Sequence, residues 1–118
     1  MKTVAIVGTG LIGSSFGLAL RAAGFDGAIL GVSSEPAVAA AVACGAVDRG
    51  ATLAEAAGVA DLVFLSQTIG RILDTIHHLD PLLRPGALVT DAGSTKCAIV
   101  DLARQTLTRA QFLSLIHI

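Results

Sequence analysis

Three glycines at the spacing G-x-G-x-x-G, in Gly8-Thr9-Gly10-Leu11-Ile12-Gly13, follow an apolar, β-branched run from Thr3 to Val7. A loop of this kind binds phosphate through its backbone. Gly8 permits the tight turn out of a strand. Gly10 has no side chain to hold a diphosphate off the backbone, and Gly13 lets the next helix pack close to the strand. The free N–H groups of that helix's first turn then face the phosphates, aided by the helix dipole. Such a contact contributes about 0.3–1 kcal/mol when exposed and up to about 2 kcal/mol when partly buried. The pattern alone is weakly specific in a chain with 13 glycines. Its context is more specific: a strand precedes it, and Ile12, Phe16, Ala19, Leu20 and Ala23 follow at helical spacing, with Gly24 at the C-cap position. The ligand implied is a dinucleotide. The alternative is a glycine-rich turn in some other α/β domain.

A second group, Asp91-Ala92-Gly93-Ser94-Thr95-Lys96, also follows a buried run and opens a helix. Gly93 allows close backbone approach, and Ser94 can cap the helix while presenting its hydroxyl. Lys96 places a cation near a helix N-terminus, where the dipole disfavours it, which hints at an anionic partner. An ordinary N-cap followed by a solvated lysine accounts for the same residues. Asp91 could orient Lys96 or cap the loop. The neighbours His77 and His78 point about 100° apart on a helix, so they suit a solvated face better than a shared metal.

The elements that must carry these groups alternate strand and helix. Strands are expected at Thr3–Val7, Ala28–Val32, Val47–Ala51, Leu62–Leu65 and Ala87–Thr90. Helices are expected after Gly10, from Ser34-Glu35-Pro36 to Cys44, and at Leu53–Ala57 with Thr52 as cap. A further helix places Ile69, Ile72, Leu73, Ile76, Leu79 and Leu83 on one face, and Arg71, Asp74, Thr75 and His78 on the other. Pro81 sits near its end or at a kink. A last helix covers about Thr95–Leu107. Alternation of this kind, with right-handed crossovers, gives a doubly wound parallel sheet of the Rossmann dinucleotide-binding type. The second and third strands lie on one side of the first, and the fourth and fifth on the other. The loops Gly8–Gly13, Ser66-Gln67-Thr68 and Ala92–Lys96 then meet at the switch point.

Composition narrows the class. The chain has 118 residues, is 53% apolar and carries a net charge of −1, with no basic run and four aromatic residues, all Phe. Nucleic-acid binding is not expected. Two cysteines, Cys44 and Cys97, suggest neither a disulfide framework nor a zinc site, and fit small buried or half-buried residues in a reducing compartment. The apolar stretch Val4–Leu20 superficially resembles a signal or membrane span, but glycines and Ser14-Ser15 interrupt it. No membrane association is expected, and the cytoplasm is the default location. The cofactor stays open. An acid about twenty positions past the last glycine would hold a ribose 2′-OH and favour NAD, whereas an Arg would favour NADP. This chain has Ser33-Ser34-Glu35, with Glu35 one turn late, so NAD or NADP both fit.

The phrase Leu88-Val89-Thr90-Asp91-Ala92-Gly93-Ser94-Thr95-Lys96, some 80 residues after the glycine loop, resembles the prephenate dehydrogenases and their arogenate-using relatives. Gly45-Ala46-Val47-Asp48 and Leu83-Arg84-Pro85-Gly86 are similar to that family too, and the resemblance runs from residue 1 to about 113. It implies an oxidative decarboxylation in tyrosine biosynthesis. A hydride passes from C4 of prephenate to the nicotinamide, the ring carboxylate leaves as CO2, and 4-hydroxyphenylpyruvate remains. By the same resemblance, Gly8, Thr9, Gly10, Leu11, Ile12, Gly13, Ser33, Ser34, Gln67 and Thr68 bind the cofactor. Ser94 hydrogen-bonds near the substrate hydroxyl as the catalytic serine, and Lys96 joins it in binding substrate. The family's histidine in Gly-Gly-His-Pro-Met, its carboxylate-gripping arginine and its helical C-terminal domain, which implies a homodimer, come later.

The chain departs from that pattern. Related enzymes often have a Pro near Gln67-Thr68, and Cys97 stands where Gly is common. After Arg109-Ala110-Gln111-Phe112 the chain reads Leu113-Ser114-Leu115-Ile116-His117-Ile118, with no Gly-Gly-His-Pro-Met. His117 lacks those flanks and is not assigned the histidine's role. Leu-Ser-Leu-Ile-His-Ile is what CTG TCT CTT ATA CAC ATC encodes, a transposon end used to tag DNA for sequencing. The expectation is therefore a partial dinucleotide-binding domain over residues 1–112, a non-native tail over 113–118, and no helical dimerisation domain. The sheet would then be incomplete at its C-terminal end, its sixth strand cut off and its edge exposed, and the chain alone inactive. Rival readings are another Rossmann oxidoreductase with a helical C-terminal domain (β-hydroxyacid or imine reductase type) and a non-catalytic nucleotide-sensing module.

Overall fold

Val4 to Val7 and Leu62 to Leu65 are buried on every residue, as central strands of a parallel sheet covered on both faces must be. The computed structural model describes residues 2–67, 69–83, 85–91 and 111–114. Its strands are β1 (Thr3–Val7), β2 (Ala28–Val32), β3 (Arg49–Gly50), β4 (Leu62–Leu65), β5 (Leu88–Asp91) and β6 (Gln111–Ser114). All pair in parallel, in the order β3-β2-β1-β4-β5-β6. Helices α1 (Leu11–Ala22), α2 (Glu35–Ala43), α3 (Leu53–Val59) and α4 (Ile69–Leu79) make the crossovers between the first five strands. This is a Rossmann-like α/β fold, with the reversal of strand order at β1.

Alternation along the strands divides the core in two. Val4, Ile6, Ile29, Leu62 and Phe64 pack with Phe16 and Leu20 of α1 and Ala41 of α2. Ala5, Val7, Val63 and Leu65 face the other way, against Ala56 and Ala57 of α3 and Ile72, Ile76 and Leu79 of α4. Phe16 stacks on Phe64 with ring centroids 4.1 Å apart and planes 12° from parallel, which fixes α1 against the sheet centre.

Several expectations are corrected. The sixth strand is present: Gln111–Ser114 pairs with β5, Leu88 opposite Gln111 and Asp91 opposite Ser114. Parallel pairing uses backbone groups that any extended segment offers, so four residues suffice to cover β5's outer edge. The inward stripe of α1 is the buried Gly13 and Gly17 with the half-buried Phe16 and Leu20, whereas Ile12 is 55% exposed and Ala19 and Ala23 are exposed. Glycine sets this rotation. A Cβ on Gly17 would run into the Ala46 carbonyl, so the helix presents its glycines to the core. Thr75 of α4 is buried rather than outward. Cys44 is exposed, because it caps the outer end of α2. The third strand shrinks to Arg49–Gly50. α4 stops at Leu79 and a 3-10 turn over Asp80–Leu82 follows, because Pro81 cannot donate to a helical ladder. The expected helix at 95–107 and Cys97 lie outside the described residues. Among the described residues no helix is long and apolar enough to cross a membrane.

Candidate nucleotide-binding cleft

Gly8 leaves β1 with φ +93°, a conformation that favours glycine, and its N–H donates to the Val32 carbonyl at 2.8 Å. The turn is thereby tied to the end of β2. On the other side Ser66, just past β4, donates its hydroxyl to the Gly8 carbonyl, and its N–H bonds the Val7 carbonyl at 2.9 Å. The loop between β1 and α1 is thus held from both neighbouring strands before any ligand arrives.

Gly10 caps α1 with φ −74° and no side-chain cap bond. A Cβ built there would meet no atom within 4 Å, so it would stand in open space. A Cβ on Gly13 would instead meet the Gly8 carbonyl oxygen, Ser66 Oγ at 2.6 Å and Ile6 Cγ2 at 3.0 Å. The three glycines therefore do three different jobs: Gly8 turns the chain, Gly10 keeps a wall clear, and Gly13 brings the helix in. Thr9 between them is only 5% exposed, and its Oγ1 meets no hydrogen-bond partner among the described residues. Its carbonyl accepts from Ser14 Oγ at 2.9 Å.

These residues border a cavity of about 470 Å³ at the carboxyl ends of β1, β2 and β4. Gly8, Thr9 and Gly10 form its floor, Val32, Ser33, Ser34 and Ala37 one wall, and Ser66, Gln67 and Arg71 the other. Of the residues singled out from sequence, the structure brings Gly8, Thr9, Gly10, Ser33, Ser34 and Gln67 together here. Leu11, Ile12 and Gly13 stand in the first turn of α1, behind the floor. Thr68, Ser94 and Lys96 lie outside the described residues. Gln67 is oriented by Thr75, whose Oγ1 donates to Gln67 Oε1 at 2.8 Å. Asp91 is fully buried at the end of β5. His78 is exposed on α4, and the described residues contain no group of three or more His, Cys, Asp or Glu that could hold a metal.

Sequence reasoning places Ser66 in a loop at the switch point but gives it no bond. Helical periodicity puts Thr75 and Arg71 on the solvent face of α4. Arg71 does point outward, but only three residues into the helix, where outward is toward the carboxyl ends of the strands. It is the one charged residue among the described residues that line the cavity.

The family model for the nucleotide-binding domain of prephenate dehydrogenase matches residues 16–115. The chain belongs to that family. The match begins beyond Gly13, so the glycine loop is separate evidence for a nucleotide cleft. Prephenate dehydrogenase of Lactococcus lactis subsp. cremoris is 37% identical over 116 residues, which are 96% of this chain and 33% of that protein. The Aquifex aeolicus prephenate dehydrogenase, solved with hydroxyphenyl propionate and NAD+, superposes with a TM-score of 0.84 at 32% identity, over 97% of this chain and 41% of that one. Synechocystis arogenate dehydrogenase superposes with a TM-score of 0.79 at 37% identity, over 88% of this chain and 37% of that one. The chain thus spans about a third of the length of its curated prephenate dehydrogenase relative.

Proposed function

We propose that this chain is the dinucleotide-binding part of an NAD(P)-dependent prephenate or arogenate dehydrogenase, which decarboxylates its substrate oxidatively in tyrosine biosynthesis. The observation that carries the reading is the cleft floor. It is a glycine turn braced by Val32 and Ser66, with clear space where a Gly10 Cβ would stand and the buried Thr9 hydroxyl without a partner among the described residues. Those features fit a diphosphate that takes hydrogen bonds from the backbone at the helix N-terminus. Gly8, Thr9, Gly10 and the first turn of α1 from Leu11 to Gly13 would hold it, with Ser33 and Ser34 at the ribose and Gln67 and Thr68 toward the nicotinamide. The Aquifex relative solved with NAD+ supports the choice of cofactor class.

When bound, the cofactor accepts the hydride from the substrate ring. This chain's own part is to orient and exclude. Ser94 would hydrogen-bond near the substrate hydroxyl and Lys96 would meet a substrate carboxylate. Both follow β5, which runs parallel beside β4, so the segment leaving Asp91 starts at the same end of the sheet as Gly8 and Ser66. By the family resemblance the proton acceptor would be a histidine of a Gly-Gly-His-Pro-Met segment and the carboxylate grip an arginine of a helical domain, through which a full-length enzyme would form a homodimer. On this reading residues 1–112 are the native domain and 113–118 a foreign tail, so that Leu113 and Ser114, the second half of β6, would be foreign residues on the β5 edge. The test has two arms. The chain should bind reduced NAD or NADP saturably while converting no prephenate. The full-length parent should release CO2 and form NAD(P)H stoichiometrically from prephenate or arogenate. A folded chain that binds neither nucleotide, or a parent that oxidises neither substrate, overturns the proposal.

A further inference from the structure

We propose that Arg71 binds the ribose 2′-phosphate of a phosphorylated dinucleotide, so that the cleft prefers NADPH to NADH. The inference rests on the dinucleotide reading of the cleft and adds the cofactor's identity to it. At the end of β2, where an acid would hold a 2′-OH and repel a phosphate, stand two hydroxyls, Ser33 and Ser34, both exposed. No arginine lies near them in sequence. The fold supplies one from the other side of β1: Arg71, in the first turns of α4, lines the same cavity as Ser33, Ser34 and Ala37.

The charge balance points the same way. Among the described residues Arg71 is the cavity's one charged lining residue, and it is exposed and forms no ion pair with a described residue. Glu35, the acid next to Ser34, lines a neighbouring cavity of about 470 Å³, which adjoins this one at Ser33, with Val38, Gly50 and Thr52. A guanidinium that shares a cavity with two hydroxyls, and with no acid among the described lining residues, matches a phosphate dianion. It can bond two phosphate oxygens at once while the serines donate to the third. A neutral ribose hydroxyl would leave the charge unanswered.

The test is titration of the 118-residue chain with NADPH and with NADH, followed by nicotinamide fluorescence; the chain has no Trp or Tyr to interfere. The native chain should bind NADPH more tightly. Arg71→Ala should weaken NADPH by about tenfold or more and NADH by less than about twofold, as loss of a charge-assisted phosphate contact requires. Arg71→Lys should keep part of the preference, since it keeps the charge without the bidentate fork. Equal losses for both nucleotides would place the guanidinium on the shared part of the cofactor and overturn the proposal. So would no loss, or a native preference for NADH. In each of those cases nucleotide binding itself survives. Binding of neither nucleotide by a chain whose circular dichroism is that of a folded α/β domain would instead remove the dinucleotide reading, and this inference with it.

Discussion

Gly10 and Gly13 stand three residues apart, yet substitution should separate them cleanly. Gly13→Ala puts a methyl against the Gly8 carbonyl and Ser66 Oγ. It should cost about 1–3 kcal/mol of stability through overpacking, read from urea unfolding. Gly10→Asp supplies a favourable N-cap, and its Cβ would meet nothing within 4 Å. It should leave the midpoint within about 0.5 kcal/mol of the native one. Its carboxylate would stand where the diphosphate belongs, so nucleotide affinity should fall steeply in a calorimetric titration. The roles of these glycines were legible in the sequence because each answers a single steric demand. Arg71 and Thr75 were not. Helical periodicity assigns a residue to a face, but the end of the helix decides whether that face meets solvent or the cleft. Thr75 is drawn inward by Gln67, which adjoins it only in the folded chain.

Strands β1, β2 and β4 matched their sequence-expected bounds residue for residue, since each has a buried apolar centre bounded by turn residues. Helix ends were legible where a side chain marks them. Ser34 Oγ accepts from the Ala37 N–H at 3.4 Å. Thr52 and Glu55 close a capping box on α3. Thr52→Ala should therefore cost about 0.5–2 kcal/mol in urea unfolding. The link between α1 and the β2–β3 edge was invisible, because it joins residues 27 apart: Arg21 Nη2 donates to both carboxylate oxygens of Asp48, at 2.8 and 2.7 Å. Burial alone would raise Asp48's pKa, but the Ile29 N–H at 2.8 Å and the Arg21 guanidinium outweigh it and hold the carboxyl below its ordinary value. A carboxylate favoured by folding adds stability above its unfolded pKa of about 3.9 and loses it as pH falls through the folded value. The stability difference between the native chain and Asp48→Asn should thus be constant above about pH 5 and shrink below about pH 4. Since the Asp48 side chain is 49% exposed, the full difference should be no more than about 1 kcal/mol.

At the scale of the whole molecule, strand alternation and crossover handedness were enough to order the first five strands, because few topologies satisfy both. The sixth was not legible. Gln111–Ser114 lacks the expected family motif, and what recruits it is the open backbone edge of β5 rather than its own pattern. The sheet order brings three loop ends to one crevice, and the reading of this chain depends on a dinucleotide entering there. The decisive measurement is a two-dimensional amide NMR titration of the isotopically labelled chain with NADPH. Shifts should concentrate at Gly8, Thr9, Gly10, Ser33, Ser34 and Gln67, saturate at one equivalent, and leave α3 and the α1–Asp48 link in place. Shifts centred elsewhere, or none from a well-dispersed spectrum at millimolar nucleotide, would contradict it.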